Sequence, residues 1–268
     1  MHPIERLRYV ARAEGADPGL VAAEAASALG DVARGDIGGL VPGCRRLIDR
    51  HPTNGPLWWL SARILTAPEP WDAAREAGAA LAHDPTERRL AAALPDDTTV
   101  LVVGWPDIAA AALARRADLE VLAVDGGGDG AALARRLGDD GGSVSIVPDA
   151  GIASAATVAG LVVIEALAAG PGGLLAAPGS HAAAAVAQRA GVAVWAVTGV
   201  GRVLPEGLWA ALLARVDESG LEPWDRPAEL VPAALVTSVV GPEGPRAAEA
   251  GLAESSCPVA PELLRRTG

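Results

Sequence analysis

The sequence predicts an α/β protein: an N-terminal helical domain, residues 1–94, followed by an α/β domain, residues 95–268, on a mainly parallel six-stranded sheet with helices on both faces. Three observations predict it. Residues 1 to about 93 carry apolar positions at helical spacing and contain no strand-like run. From Thr98 onward, short apolar runs alternate with helical stretches, and turn residues stand at each junction, the pattern of parallel strands joined by crossover helices. Between the two regions, Leu94-Pro95-Asp96-Asp97 places a proline and two acids where a helix must stop.

Taken in order, the helical part reads as Pro3–Ala13, Pro18–Ala33, Leu40–Asp49, Gly55–Ala67 and Trp71–Leu94, with Gly and Pro at the breaks. Thr99–Val103 is fully apolar, as a central strand covered on both faces should be. Pro106–Arg116 follows as a helix, then strand Glu120–Val124, a glycine loop Gly126–Gly130, and helix Ala131–Leu137. Ser143–Val147 is the third strand, Ile152–Ala159 its helix, and Leu161–Glu165 the fourth strand. A Gly/Pro loop leads to helix Ser180–Ala190 and strand Val192–Val197; helix Pro205–Val216 precedes a sixth strand, Ala234–Val240. Beyond Pro242 only Pro261–Arg266 carries a helical signal. This succession is Rossmann-like.

Composition excludes several chemistries. All 22 basic residues are arginine, so neither a Schiff-base lysine nor a P-loop lysine is available. A formal charge of −11 argues against a general nucleic-acid binder, which needs a basic stripe to displace counterions. Cys44 and Cys257 show no CxxC spacing, and His2, His51, His83 and His181 show no ligand spacing, so no metal site is expected. The longest apolar run, Leu161–Ala177, is broken by Glu165 and by Gly170-Pro171-Gly172-Gly173, too interrupted to span a bilayer. With no secretory signal in view, the expectation is a soluble cytoplasmic protein without membrane contact. No G-x-S-x-G elbow is present, and no cofactor is called for.

Ligands in open α/β sheets bind at the carboxyl ends of the strands. Two loops stand there. Gly126-Gly127-Gly128-Asp129-Gly130 offers backbone N–H groups to a phosphate at a helix start, but it does not match G-x-G-x-x-G and follows the second strand. Gly170-Pro171-Gly172-Gly173 through Pro178-Gly179-Ser180-His181 leads into a helix that Ser180 is suited to cap. Asp149 and Glu165 end the third and fourth strands and are expected to converge on this edge, as a proton-sharing pair or, in the alternative, as a helix cap and an arginine partner. His181 at a helix start is a candidate donor or base toward a ligand.

Five segments resemble the regulatory-subunit family of translation initiation factor 2B and its isomerase relatives, the methylthioribose-1-phosphate and ribose-1,5-bisphosphate isomerases. His51-Pro52-Thr53 with Leu57 and Trp59 resembles R-P-T-x-x-x-L-x-W, and Thr99–Ile108 occupies the family's first-strand position. Asp149-Ala150-Gly151-Ile152-Ala153 resembles the D-S-A-type turn. Val163–Ser180 follows the G-A-D, N-G, N-K-I-G-T segment, and Glu222-Pro223-Trp224-Asp225, Val231-Pro232 and Leu235-Val236-Thr237 follow its closing pattern. The departures fall on the isomerases' chemistry. Gly104-Trp105 stands where they carry a cysteine, and Ala166 where they carry the aspartate, with Glu165 one place earlier. Ala176-Ala177 replaces Asn-Lys, His51 replaces the arginine of R-P-T, and Asp125-Gly126-Gly127-Gly128 replaces E-T-R-P.

The resemblance implies a non-catalytic binder of a small phosphorylated ligand, a sugar phosphate or a nucleotide, held by His51, Thr53, Gly104, Gly126, Gly128, Asp149, Gly172, Gly173, Gly179, Ser180 and His181. Two alternatives stand beside it: an aldose–ketose isomerase with a rebuilt site using Asp149, Glu165 or His181, and an assembly subunit with a vestigial pocket. It further implies a homodimer through the α/β domain, to which the sequence adds Trp195, Trp209 and Trp224 near apolar Val231–Val240, since tryptophans are enriched in interface centres.

Overall fold

The computed structural model describes residues 18–265. The expected helix Pro3–Ala13 lies outside them. Five helices come first: α1 (Pro18–Gly35), α2 (Leu40–Arg50), α3 (Gly55–Thr66), α4 (Pro70–Ala82) and α5 (Thr86–Ala93). The last two were expected as one, Trp71–Leu94. Pro85 breaks it, because a proline inside a helix removes a donor and clashes with the preceding turn. Asp84 at the break then fastens other parts of the chain: its Oδ1 accepts from Thr86 N (2.9 Å), and its Oδ2 from Val200 N (2.7 Å).

The α/β region runs β1 (Thr99–Val103), α6 (Asp107–Leu113), β2 (Glu120–Val124), α7 (Asp129–Asp139), β3 (Ser143–Val147), α8 (Ile152–Val158), β4 (Leu161–Glu165), β5 (Ala168–Gly170), β6 (Gly173–Ala176), α9 (Ser180–Ala190), β7 (Ala193–Val197), α10 (Glu206–Asp217), β8 (Glu229–Pro232), β9 (Ser238–Gly241), β10 (Gly244–Ala247), α11 (Ala248–Ala253) and α12 (Pro261–Leu264). The main sheet is ordered β10-β9-β7-β4-β1-β2-β3, parallel except at the β9–β10 edge. It has seven strands, not six. The expected sixth strand, Ala234–Val240, starts only at Ser238, after a 3-10 turn at Ala233–Leu235. The added strand β10, Gly-Pro-Arg-Ala, has no strand character in sequence; it pairs through its backbone alone, at an edge where proline is tolerated.

The Gly/Pro loop after β4 is also more regular than expected. It folds as the β5–β6 hairpin, which joins β8 in a second, three-stranded sheet. Pro171 and Gly172 form its turn. Proline fixes φ at the first central position, and Gly172 takes φ +92° at the second, the order a type II turn requires.

Alternation along the central strands sorts the core. Val100, Val102, Val121, Ala123, Leu161 and Val163 face α5, α6 and α7; Leu101, Val103, Val162, Ile164, Val194 and Ala196 face α8 and α9. Helices therefore cover both faces. A third core joins distant stretches of chain: α1–α4 supply Leu29, Leu47, Trp58 and Leu60, while Leu208, Trp209 and Leu212 of α10, Cys257 and Leu263 come from the other end. Arg45 Nη2 seals this junction by donating to Glu262 O at 2.7 Å. Among the described residues, no helix is long and apolar enough to cross a membrane.

The three tryptophans proposed for an interface part company. Trp209 is buried in the third core and Trp195 packs half-buried against the sheet, because both lie on elements covered by others. Trp224, on a 3-10 turn, is 79% exposed.

Candidate functional site

The strand order reverses between β1 and β4, since β2 and β3 extend to one side and β7 and β9 to the other. Such a switch point leaves a crevice at the carboxyl ends of the two strands, where ligands of open α/β sheets bind. A concavity of about 710 Å³ lies there. Val103 and the turn Trp105-Pro106-Asp107 contribute from β1, Ile164 and Glu165 from β4, and Asp129 from the start of α7. The helical layer closes the other side with Pro18, Val21 and the stretch Arg50-His51-Pro52-Thr53-Asn54, and Leu167, Ala177, Ser180 and Pro227 complete it.

Glu165 defines the chemistry of the floor. Its Oε1 lies 2.8 Å from Nη1 of Arg202, with side-chain exposures of 7% and 2%. Its Oε2 accepts from Ala109 N at 2.9 Å, and Nη1 of Arg202 also donates to Ala166 O at 2.5 Å. A carboxylate gripped this way is fixed as an anion and neutralised by a cation behind it. The arginine-partner alternative for Glu165 is therefore what the structure contains.

Asp149 does not converge with Glu165. β1 and β2 lie between the strand that Asp149 follows and the strand that Glu165 ends; at about 4.8 Å per strand those two are about 14 Å apart, and the carboxylates take different partners. Asp149 Oδ1 instead accepts from Gly126 N at 2.8 Å on the exposed side of the sheet, and it makes no side-chain cap to α8. Gly126, at φ +55°, passes close over Gly104, where an added Cβ would meet the Gly104 Cα at 3.3 Å. Gly104, Gly126 and Gly128 thus shape the loops behind the concavity without lining it.

On the α9 side Ala177 and Ser180 line the site. Ser180 is the first residue of the helix, with Gly179 in the cap position, so the expected Ser180 cap is absent. His181 is exposed, and its backbone N–H donates to Glu229 Oε1 at 2.7 Å. Gly172 and Gly173 belong to the β5–β6 hairpin and are outside the lining. From the sequence-predicted set, His51, Thr53, Glu165 and Ser180 come together. Arg50, Asn54, Trp105, Asp107 and Asp129 were missed. Asp107 and Asp129 open the helices after β1 and β2, so the strand-end rule applied to Asp149 would have found both.

Asn54 ties the helical wall in place: its Oδ1 caps α3 by accepting from Leu57 N (3.0 Å), and its Nδ2 donates to Pro18 O (3.1 Å). Neither cysteine belongs to the site. Burial pushes both thiols up to about 12, so neither is a thiolate near neutral pH.

No family model matches the sequence, and no curated protein matches it. Solved structures do. Translation initiation factor eIF-2B from Pyrococcus horikoshii OT3 superposes with a TM-score of 0.71 at 14% identity, over 91% of this chain and 96% of that one. The tetrameric eIF2B-beta2-delta2 complex from Chaetomium thermophilum gives 0.73 at 18% identity, over 93% and 91%. The 5-methylthioribose 1-phosphate isomerase of P. horikoshii OT3 gives 0.64 at 14% identity, over 91% and 84%. At these identities the likeness is one of fold: the chain has the fold shared by eIF2B subunits and 5-methylthioribose 1-phosphate isomerase.

Proposed function

We propose that this chain is a member of the eIF2B regulatory-subunit family that binds a small phosphorylated ligand, a sugar phosphate or a nucleotide, at the carboxyl edge of its sheet and does not isomerise it. The observation that carries this reading is the Glu165–Arg202 pair. The carboxylate nearest the position of the isomerases' aspartate is held by a buried guanidinium and a backbone donor, and deprotonated oxygens with those partners are poor proton shuttles. Gly104 and Trp105 occupy the cysteine's place, leaving no thiol. The concavity itself supports binding, with Arg50 and the His51-Thr53 stretch on one wall and a volume in the range of small-molecule sites.

A thermal-shift series of sugar phosphates, nucleoside monophosphates and their unphosphorylated parents tests it. A ligand at about 100 times its dissociation constant adds roughly 2.7 kcal/mol to the folded state, which is readily seen. At least one phosphorylated compound is expected to raise the melting temperature, with no turnover of methylthioribose 1-phosphate or ribose 1,5-bisphosphate above background. A flat series at millimolar concentration leaves the vestigial pocket; turnover that disappears in Glu165→Gln restores the rebuilt isomerase.

The same reading includes a homodimer through the α/β region. Trp224 (79% exposed), Leu221 (46%) and Leu230 (44%) supply apolar surface close in sequence, as an interface centre requires. Light scattering at micromolar concentration is expected to give a dimer mass, and Trp224→Glu a monomer with unchanged circular dichroism. A wild-type monomer removes the dimer.

A further inference from the structure

A second space opens beyond the carboxyl ends of β7 and β9, with a volume of about 270 Å³ and no lining residue in common with the concavity between β1 and β4. Thr198, the residue after β7, lines it. Thr198 is 3% exposed, yet among the described residues its hydroxyl has no hydrogen-bond partner. Its carbonyl is unpaired as well, for a reason written in the sequence. Thr198 N donates to Val240 O at 2.9 Å, so in a parallel ladder the next donor, at position 242, is the one aimed at Thr198 O. That position is Pro242, which has no N–H. A Cβ added at Gly241 would stand 3.3 Å from both Thr198 O and Thr198 Oγ1, and no third atom beyond the flanking residues comes within 4 Å of that point. Two buried oxygens thus face one open spot. We infer that this space is a second binding site, and that it takes a small primary ammonium carried on a short apolar body.

Buried polar groups are hydrogen-bonded in the great majority of native structures, so two unpaired oxygens side by side call for a donor supplied from outside the chain. That donor must serve both oxygens from one atom. An ammonium does so with its three N–H groups, whereas an alcohol has a single O–H to give. Charge agrees with this. Glu243, on the β9–β10 turn, lines the same space and forms no ion pair among the described residues, while Arg246, also in the lining, is paired with Glu254. The chain as a whole carries a formal charge of −11, which draws cations toward it. Hard metal ions require six or more oxygen ligands, far more than the pair at Thr198. Val200, Val203 and Val239 in the lining suit a hydrocarbon body instead. The volume lies just below the usual range for small-molecule sites, so that body is limited to a few carbons.

Amide NMR titrations of the full, isotope-labelled chain at neutral pH, with three probes, decide the matter. n-Butylamine carries a charge and three N–H groups, n-butanol keeps the body without the charge, and tetramethylammonium keeps the charge without an N–H. n-Butylamine is expected to shift the signals of Gly199, Gly201 and Gly241 saturably, and to bind at least about tenfold tighter than either of the others. Gly241→Ala sets a methyl against both oxygens at a residue whose φ is not positive, and is expected to abolish the shifts. Thr198→Val removes the hydroxyl alone and is expected to weaken binding about tenfold. Absence of saturable shifts with wild type at millimolar n-butylamine leaves the two oxygens to an ordered water and overturns the inference. An equal response to n-butanol or tetramethylammonium, or a response unchanged in either variant, overturns it too. The phosphorylated-ligand reading concerns the other cavity and is untouched by each of these results.

Discussion

Arg202→Met is expected to destabilise the protein by about 3–5 kcal/mol, because it removes the guanidinium that neutralises the largely buried Glu165 carboxylate. Nη1 of Arg202 serves two acceptors at once, Glu165 Oε1 and Ala166 O, and both would be left without it. For a chain of this length the loss corresponds to a fall in melting temperature on the order of 10 °C. The double variant Glu165→Gln, Arg202→Met removes the stranded charge and is expected to recover at least half of the loss. A scanning-calorimetry midpoint for Arg202→Met that matches wild type would show the pair to be worth nothing. Because Glu165 also accepts from Ala109 N, the start of α6 should loosen as well, which amide exchange at Ala109 would report.

Trp58→Ala is expected to cost about 3–5 kcal/mol, the range for emptying a large aromatic site. Trp58 is fully buried in the core that joins the helical layer to α10, and the Arg215 guanidinium lies 4.7 Å from its ring centroid. Its Nε1–H donates to Pro52 O at 3.0 Å, which fixes the His51-Pro52-Thr53 wall of the concavity. Trp58→Phe separates the two roles. It keeps most of the packing and loses the hydrogen bond, at about 1 kcal/mol. Ligand affinity should then fall more than stability does. Chemical denaturation that places Trp58→Ala within 1 kcal/mol of wild type would sink the prediction.

Legibility in the sequence followed the length and spacing of the apolar runs. β1, β2 and β4 match their expected limits, because strands covered by helices must be short apolar runs; β3, the exposed edge strand, matches as well, because polar and apolar residues alternate from Ser143 to Ile146 between clear turn signals. Short strands defined by backbone pairing left little trace, whether at an exposed edge, as β10, or fully buried in the second sheet, as β5 and β6. β10 contains a proline and an arginine in four residues, and β5 and β6 are short, glycine-bounded pieces hidden in what reads as a loop. Pro85 was a legible signal passed over. At the site, position along a strand was readable and neighbourhood was not. Asp149 and Glu165 both end strands, yet only strand order tells that two others separate them, and strand order is set by long-range pairing. Arg202, the partner that decides what Glu165 is, lies in a loop after β7 with nothing local to mark it.

The core shared by α1–α4 with α10, Cys257 and Leu263 bears on how the chain is made. During synthesis the first helices emerge early, but the side chains that complete their packing do not. Leu263 leaves the ribosome roughly 180 residues after Ala82, which at 5–20 residues per second is roughly 10–40 s of waiting. Through that interval Leu29, Leu47, Trp58 and Leu60 lack the partners that cover them in the finished fold. The helical layer is thus a surface that nascent-chain chaperones would have reason to hold, and its burial is expected to mark the end of folding, after the sheet has formed.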